Sequence, residues 1–328
     1  MWKNFPLFPE RASALAWQVD GLYFLLVAVS AFFTLLIFLV IFIFAVKYRR
    51  SAHPHPVQIE GSLPLELAWT LIPLGICMIF FAWGSLIYFQ EARPPKGAME
   101  IYVVGKQWMW KFEHTTGQRE IDQLHIPVGA DVRMIMSSQD VIHSFFVPAF
   151  RVKTDVLPGR YTETWFHTTK VGTYHLFCSQ YCGTDHSGMI GQVIVMEPTA
   201  FQAWLSEGGA SGSLAANGQQ LFQQLGCSTC HRSDTQGRGP NLVGIYGKPV
   251  LLDDGRTVTA DENYVRESIL NPGAKVVAGF KPIMPSFQGQ VSEESLMALE
   301  AYVKSLATPQ QSEPAGNRLP VPDTSKTQ

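Results

Sequence analysis

The chain has 328 residues, more than one domain usually takes, and its formal net charge of −2 gives no reason to propose a nucleic-acid partner. Only 16% of its residues are charged, which is low for a soluble protein of this size, and the missing charge is mostly at the front. Two or three modules are expected.

Residues 21–46, GLYFLLVAVSAFFTLLIFLVIFIFAV, carry no charged side chain and exceed the roughly 20 apolar residues needed to cross a bilayer. A second uncharged run at 67–89, LAWTLIPLGICMIFFAWGSLIYF, is also long enough, with Pro73 near one end where a kink is tolerated. A two-helix transmembrane hairpin is therefore predicted within 1–95. A cleavable signal peptide would place a shorter apolar run directly after basic residues, whereas about twenty mixed residues come first here. Lys47, Arg49 and Arg50 follow the first span and put the connection on the cytoplasmic side, although Arg93 and Lys96 after the second span make the bias modest. Both termini, and everything after about residue 92, then face outward, into a periplasm or its equivalent. Cys77, inside the second span, reads as a small packing residue.

From 96 to 198 the text changes to short alternating stretches such as MEIYVVGKQWMWKFEH, ADVRMIMSS and GQVIVME, separated by the turn signals TTGQ, PVGA and LPGR. An antiparallel β-sandwich is predicted. It contains CSQYCGTDHSGM at 178–189, with two cysteines, a histidine and a methionine within twelve residues. Thiolate, thioether and imidazole are ligands that copper prefers, but a mononuclear blue copper site needs only one cysteine. Two thiolates can each bridge two copper ions, so Cys178 and Cys182 fit a dinuclear cluster that shares one electron with little change of geometry. Each copper would also need an imidazole; His186 lies in the same loop, and His143 of DVIHSFF sits about one strand pair earlier. A disulfide or a zinc site remains open at this point.

Residues 199–215, ending in SEGGASGSL, read as a linker, and helical patterns return over 216–307, most clearly in VSEESLMALEAYVKSL. The motif CSTCH at 227–231 has the spacing for thioether attachment of a haem through Cys227 and Cys230, with His231 under the iron. A zinc site would need further ligands, and this module has no other cysteine or histidine. The sixth iron ligand is then most simply a methionine. Met297 lies inside the amphipathic helix, where methionine is usually core, whereas Met284 is held in KPIMPSF between two prolines and is the choice. Residues 308–328, rich in Pro, Gln, Ser and Thr, read as a disordered tail.

VIHSF, RVKTDVLPGR and CSQYCGTDHSGM together resemble subunit II of the haem-copper cytochrome c oxidases over about residues 15–198. The C-terminal module resembles an all-α class I cytochrome c, as in bacterial oxidases whose subunit II carries its own haem domain. The resemblance implies a cupredoxin-like sandwich holding a CuA centre: Cys178 and Cys182 bridge, His143 and His186 each bind one copper, Met189 is a weak ligand, and Gln180 offers its backbone carbonyl. It also implies that the Pro240 carbonyl orients His231. Many members have Glu at the Gln180 position, where the side chain helps hold a magnesium ion against subunit I; Gln leaves that magnesium open. Trp108 matches the tryptophan through which electrons reach copper, with Trp110 beside it, although a strand aromatic buried for packing reads equally simply. Glu66 in LPLELAWTLIP matches a glutamate that opens a proton path, although the helix dipole alone favours a carboxylate there.

Neither span contains a histidine that could hold a catalytic haem or copper, so oxygen is not reduced within this chain. The resemblance implies partners instead: subunit I with its haem and copper pair, subunit III, an electron donor protein and the membrane. The expected function is the electron-input subunit of a proton-translocating oxygen reductase. The alternatives are the equivalent subunit of a CuA-containing nitric oxide reductase, and a non-enzymatic membrane-anchored electron-transfer protein.

Overall fold

A computed structural model describes residues 8–55, 61–207, 212–233 and 237–307. The proposed tail at 308–328 lies outside the described residues. Two compact units result, Leu15–Arg93 and the remainder.

The first unit is a helical hairpin, α1 (Ala16–Lys47) and α2 (Leu63–Glu91), both long and apolar enough to cross a membrane. Most of their large apolar side chains are uncovered, which suits surroundings of lipid or partner helices rather than water. The two helices meet where Gly21 leaves room for Trp83; a methyl group at Gly21 would lie 3.2 Å from that indole. Ser62 precedes α2, Pro64 occupies its first turn, and Glu66 follows in the same turn.

The second unit begins with a sandwich of ten strands: β1 (Met99–Lys106), β2 (Met109–His114), β3 (Arg119–Ile121), β4 (Gln123–Pro127), β5 (Asp131–Ser138), β6 (His143–Val147), β7 (Val152–Val156), β8 (Thr162–His167), β9 (Gly172–Cys178) and β10 (Ile190–Met196). One sheet has the order β3-β2-β1-β5-β8 and the other β4-β10-β9-β6-β7. The expected antiparallel pattern is modified twice, because β1 pairs with β5 and β4 with β10 in parallel. Asp122 explains the second case. This single residue between β3 and β4 has φ 56°, and it carries the chain from one sheet to the other. Its carboxylate accepts from the Trp110 amide at 2.7 Å, while its backbone N–H bonds to the Trp110 carbonyl and its own carbonyl to the Gln192 amide. Aspartate tolerates the left-handed region better than most residues and here ties both sheets together.

Alternating side chains such as Ile101, Val103, Phe112, Leu124, Ile126 and Phe145 fill the space between the sheets. Residues 8–14, expected to belong with the hairpin segment, instead complete this module. Ala12 is fully buried in the sandwich core, and the Ser13 hydroxyl donates to the Phe150 carbonyl at 2.7 Å.

The expected linker also differs. Pro198–Glu207 forms α3, whose Phe201 and Trp204, three residues apart, face the sheet. Trp204 stacks on His125 with ring centroids 4.8 Å apart and meets His114 edge-on. The Glu120 carboxylate accepts from both imidazoles, and Gln118 caps the arrangement by donating to the Leu205 carbonyl. Two histidines with no evident ligand spacing are thus structural.

The C-terminal module contains α4 (Leu214–Gln224), α5 (Glu262–Leu270) and α6 (Glu293–Ser305). It is not wholly helical, since β11 (Pro249–Leu251) and β12 (Thr257–Thr259) make a short hairpin around the Asp-Gly turn at Gly255. Ser213, Asp261 and Ser292 cap the three helices by accepting from the backbone three residues on. The crossing of α4 and α6 is close, because a methyl on Gly218 would collide with the Ala298 carbonyl at 1.9 Å.

The other side of α6 docks on the sandwich. Met297, Ala298 and Leu214 pack with Tyr102, Val104, Ile135 and Tyr161, burial of the Met297, Leu214, Val104 and Ile135 side chains contributing about 1.5–3 kcal/mol each relative to exposure. Around this patch Lys111 meets Glu294 at 2.7 Å and Lys304 meets Glu100 at 2.6 Å. The helix is therefore a wall common to both modules.

Candidate metal centre

The loop after β9 folds back on itself through a 3-10 turn at His186–Gly188, and this brings the four side chains of CSQYCGTDHSGM together with the first residue of β6. The Cys178 and Cys182 sulfurs are 3.7 Å apart. A disulfide holds its sulfurs at about 2.05 Å, so the pair is not joined. Two sulfurs that each bind a common metal at about 2.3 Å lie within about 4.6 Å of one another, which this separation satisfies. His143 Nδ1 lies 3.8 Å from Cys178, His186 Nδ1 3.4 Å from Cys182, and Met189 Sδ 4.0 Å from Cys182. The Gln180 carbonyl faces the Cys178 sulfur at 3.3 Å. All six residues singled out in the sequence thus converge, and His143, Cys178 and Cys182 are buried.

The donor set suits copper: two soft thiolates, a thioether and two imidazoles, of which only the His186 ring is half-exposed. Burial alone would disfavour ionisation of Cys178, but hydrogen bonding with His143 and with the Ser144 and Gln180 backbone outweighs it and holds the thiol down at about 6. Burial, followed by the neighbouring Cys178 sulfur, pushes Cys182 up to about 12. The two therefore titrate as a unit, and a bound cation would favour both thiolates together.

Sequence reading missed the groups that hold these ligands. Asp140 accepts from His143 Nε2 at 2.8 Å, which leaves Nδ1 as the free lone pair aimed at the sulfurs. Asp140 is fixed in turn by the Gln107 amide at 2.7 Å. Gly105 makes room for the imidazole, because a methyl group there would sit 2.9 Å from His143 Cδ2. The Asp-x-x-His spacing in DVIH was the available signal.

Trp108 is half-buried beside the same loop. Its indole N–H donates to the Cys182 carbonyl at 3.2 Å, as does the Gln107 side chain at 2.7 Å. Trp110 is buried within the core and lies edge-on to His143. Glu66 is exposed in the first turn of α2, with its carbonyl accepting from the Thr70 hydroxyl at 2.8 Å.

In the C-terminal module, Cys227, Cys230, His231, Pro240 and Met284 all line one cavity of about 540 Å³. His231 Nδ1 donates to the Pro240 carbonyl at 2.9 Å, which leaves Nε2 free for a metal. Gly239 is required here; a methyl on it would press against the His231 ring at 2.9 Å. Apolar side chains from α5 and α6, including Val265, Ile269, Leu299 and Val303, complete the walls. Arg238, Lys275 and Lys281 are the charged residues of the lining, all basic, which suits a flat apolar ring carrying carboxylate arms. Met297 faces away, into the seam with the sandwich.

The family description "Cytochrome C oxidase subunit II, transmembrane domain" matches residues 1–87, "Cytochrome C oxidase subunit II, periplasmic domain" residues 115–197, and "Cytochrome c" residues 215–307. Cytochrome c oxidase subunit 2 of Thermostichus vulcanus is 33% identical over 254 residues, covering 60% of this chain and 77% of that one. The chain belongs to the cytochrome c oxidase subunit 2 family. Cytochrome c oxidase subunit 2 of Alkalihalophilus pseudofirmus is 29% identical over 324 residues, 93% of this chain and 91% of the relative, so the similarity is not confined to one module. The crystal structure of the periplasmic domain of subunit II of cytochrome oxidase (CoxB) of Bradyrhizobium japonicum is 32% identical, covering 35% of this chain and 96% of that one, with a TM-score of 0.34. As a subunit 2 with a cytochrome c module, the chain joins a membrane anchor to a copper-binding and a haem-binding domain, and electron transfer is the role these imply.

Proposed function

We propose that this subunit 2 is the electron-input subunit of a respiratory oxidase in a bacterial inner membrane. Electrons pass from a donor protein through a covalently bound haem c to a dinuclear CuA centre, and on to subunit I, where oxygen is reduced to water and protons are translocated. The observation that carries this reading is the pairing, in one folded unit, of the 3.7 Å dithiol site and the CSTCH-lined cavity. When bound, copper and haem supply reversible one-electron chemistry.

The chain's own residues set the conditions for it. Cys178 and Cys182 would hold the coppers through their thiolates, with His143, His186, Met189 and the Gln180 carbonyl as the further ligands. Cys227 and Cys230 would anchor the haem and His231 and Met284 would ligate its iron, with the Pro240 carbonyl fixing the His231 tautomer. Trp108 couples the copper loop to the surface through its bond to the Cys182 carbonyl. Gln180 lacks the carboxylate that a magnesium contact with subunit I would use, so magnesium is the least supported cofactor. The hairpin holds the subunit against subunit I, with subunit III in the same complex, and both termini lie on the outer side.

The test is the complex that co-purifies with this chain. It should contain a copper pair and a c-type haem on subunit 2 and further haem on its partner, and it should consume oxygen. In that complex Glu66→Gln should slow oxygen uptake several-fold while haem c and copper are still reduced at their normal rates, because the amide cannot take up a proton. Unchanged uptake would leave Glu66 only its favourable place at the start of α2. A complex that reduces nitric oxide but not oxygen would overturn the assigned acceptor.

A further inference from the structure

Glu300 lies in the middle of α6, on the wall between the haem module and the sandwich, and it is fully buried. Neither of its carboxylate oxygens has a hydrogen bond of normal geometry. A buried, unpartnered carboxylate costs several kcal/mol if ionised, on the order of the effective penalty per buried ion. The surrounding cations are already engaged. From β5, Arg133 contacts Glu100 of β1 at 2.9 Å, Glu163 of β8 at 2.6 Å and Glu262 of α5 at 3.2 Å. Lys304, one turn along α6, contacts Glu100 at 2.6 Å and Glu262 at 3.5 Å. Arg266 of α5 is held by Glu293 at the start of α6 and lies over the Tyr161 ring. Three cations thus face four carboxylates before Glu300 is counted.

Burial first, and then the Glu262 carboxylate, push the proton affinity of Glu300 well above the ordinary value of 4.5, while Tyr161 and Lys304 pull the other way without offsetting them. Tyr102 of β1 faces the same group. The Tyr161 and Tyr246 hydroxyls are also buried, Tyr161 beside Glu300 and Tyr246 beside Glu262, and neither makes a hydrogen bond of normal geometry. Buried waters typically satisfy such groups, and here they would link Glu300 to its surroundings. The residues beside Glu300 on α6 face the other way: Leu299 and Val303 line the haem cavity.

We propose that Glu300 is a buried proton-binding site linked to the electron held in the adjacent haem cavity. The inference rests on the haem reading of that cavity. When the cavity gains an electron from the donor, its charge falls by one and the already raised proton affinity of Glu300 rises further, so at pH values between its affinities in the two states the carboxylate binds a proton drawn from solvent. When the electron leaves for copper, the O–H bond breaks and the proton returns. No other bond changes. Subunit 2 would then move protons locally in step with electrons, at a carboxyl outside the membrane-spanning helices.

The test uses the full-length chain in detergent. Covalent haem is checked first, by haem colour that stays with the denatured polypeptide; its absence would overturn the haem reading and this inference with it. With haem present, its midpoint potential is measured from about pH 5 to about pH 9 in the wild type and in Glu300→Gln. The wild-type potential should fall with pH, by at most about 59 mV per tenfold change in proton concentration for a one-electron couple, and the variant should lose most of that slope. Equal slopes in the two proteins would overturn the proposal while leaving the haem assignment intact. Redox-difference infrared spectra of the wild type should show a protonated carboxyl band that shifts in heavy water, and a spectrum without such a band would overturn it independently of any variant. Thermal stability should respond as well. Because the native state holds a proton that the unfolded chain releases above about 4.5, wild-type stability falls as pH rises, so Glu300→Gln should gain thermal stability relative to wild type toward neutral pH.

Discussion

Changing Cys182→Ser should remove the dinuclear copper signal and lower copper content toward one ion per chain. Cys182 is the hub of the site, with Cys178, His186 and Met189 all within 4.0 Å of its sulfur. Serine keeps nearly the same shape but replaces a soft thiolate with a hard, un-ionised hydroxyl, which neither bridges nor stabilises copper as a thiolate does. The Cys182 carbonyl, held by Gln107 and Trp108, is untouched, so the loop should keep its fold. Electron paramagnetic resonance separates the outcomes. An electron shared by two equivalent copper nuclei gives a richer hyperfine pattern than one confined to a single nucleus. Persistence of the shared pattern in fully loaded Cys182→Ser would contradict the bridging role.

Met284→Ala and Met297→Ala should have opposite consequences. Met284 lines the haem cavity on a proline-flanked loop, whereas Met297 is 1% exposed in the seam. Loss of Met284 should abolish the weak sulfur-to-iron absorption of the oxidised haem and lower its reduction potential, because thioether ligation favours the reduced iron. Loss of Met297 should leave the spectrum alone and cost about 2–5 kcal/mol through the cavity left at the seam. If Met297→Ala changed the haem spectrum and Met284→Ala did not, the axial assignment would be reversed.

The spans and the strand-rich middle were legible because their signals are local: an uncharged run longer than a bilayer, and period-two alternation. The ligand motifs were legible for the same reason, since CSTCH and CSQYCGTDHSGM carry their chemistry within a few residues. What stayed hidden depends on partners distant in sequence. The helix at Pro198–Glu207 is weakly patterned and sits beside a Gly-rich stretch; it is held by Trp204 on His125, almost eighty residues earlier. The parallel pairings follow from the sheet switch at Asp122, which no periodicity reveals. Glu300 looked like an ordinary polar position of an amphipathic helix. Only the docking of α6 between a haem cavity and a β-sheet makes it a buried acid, because both flanks of the helix are covered.

The most direct measurement is electron transfer within the isolated full-length chain, loaded with copper and haem. The haem is reduced by a rapid photochemical pulse, and haem and copper absorption are followed separately. If subunit 2 carries electrons inward, haem oxidation and copper reduction should proceed together, as one first-order process whose rate is independent of protein concentration, since both sites belong to one folded unit. A haem that stays reduced beside oxidised copper, or a transfer rate that rises in proportion to protein concentration, would contradict it.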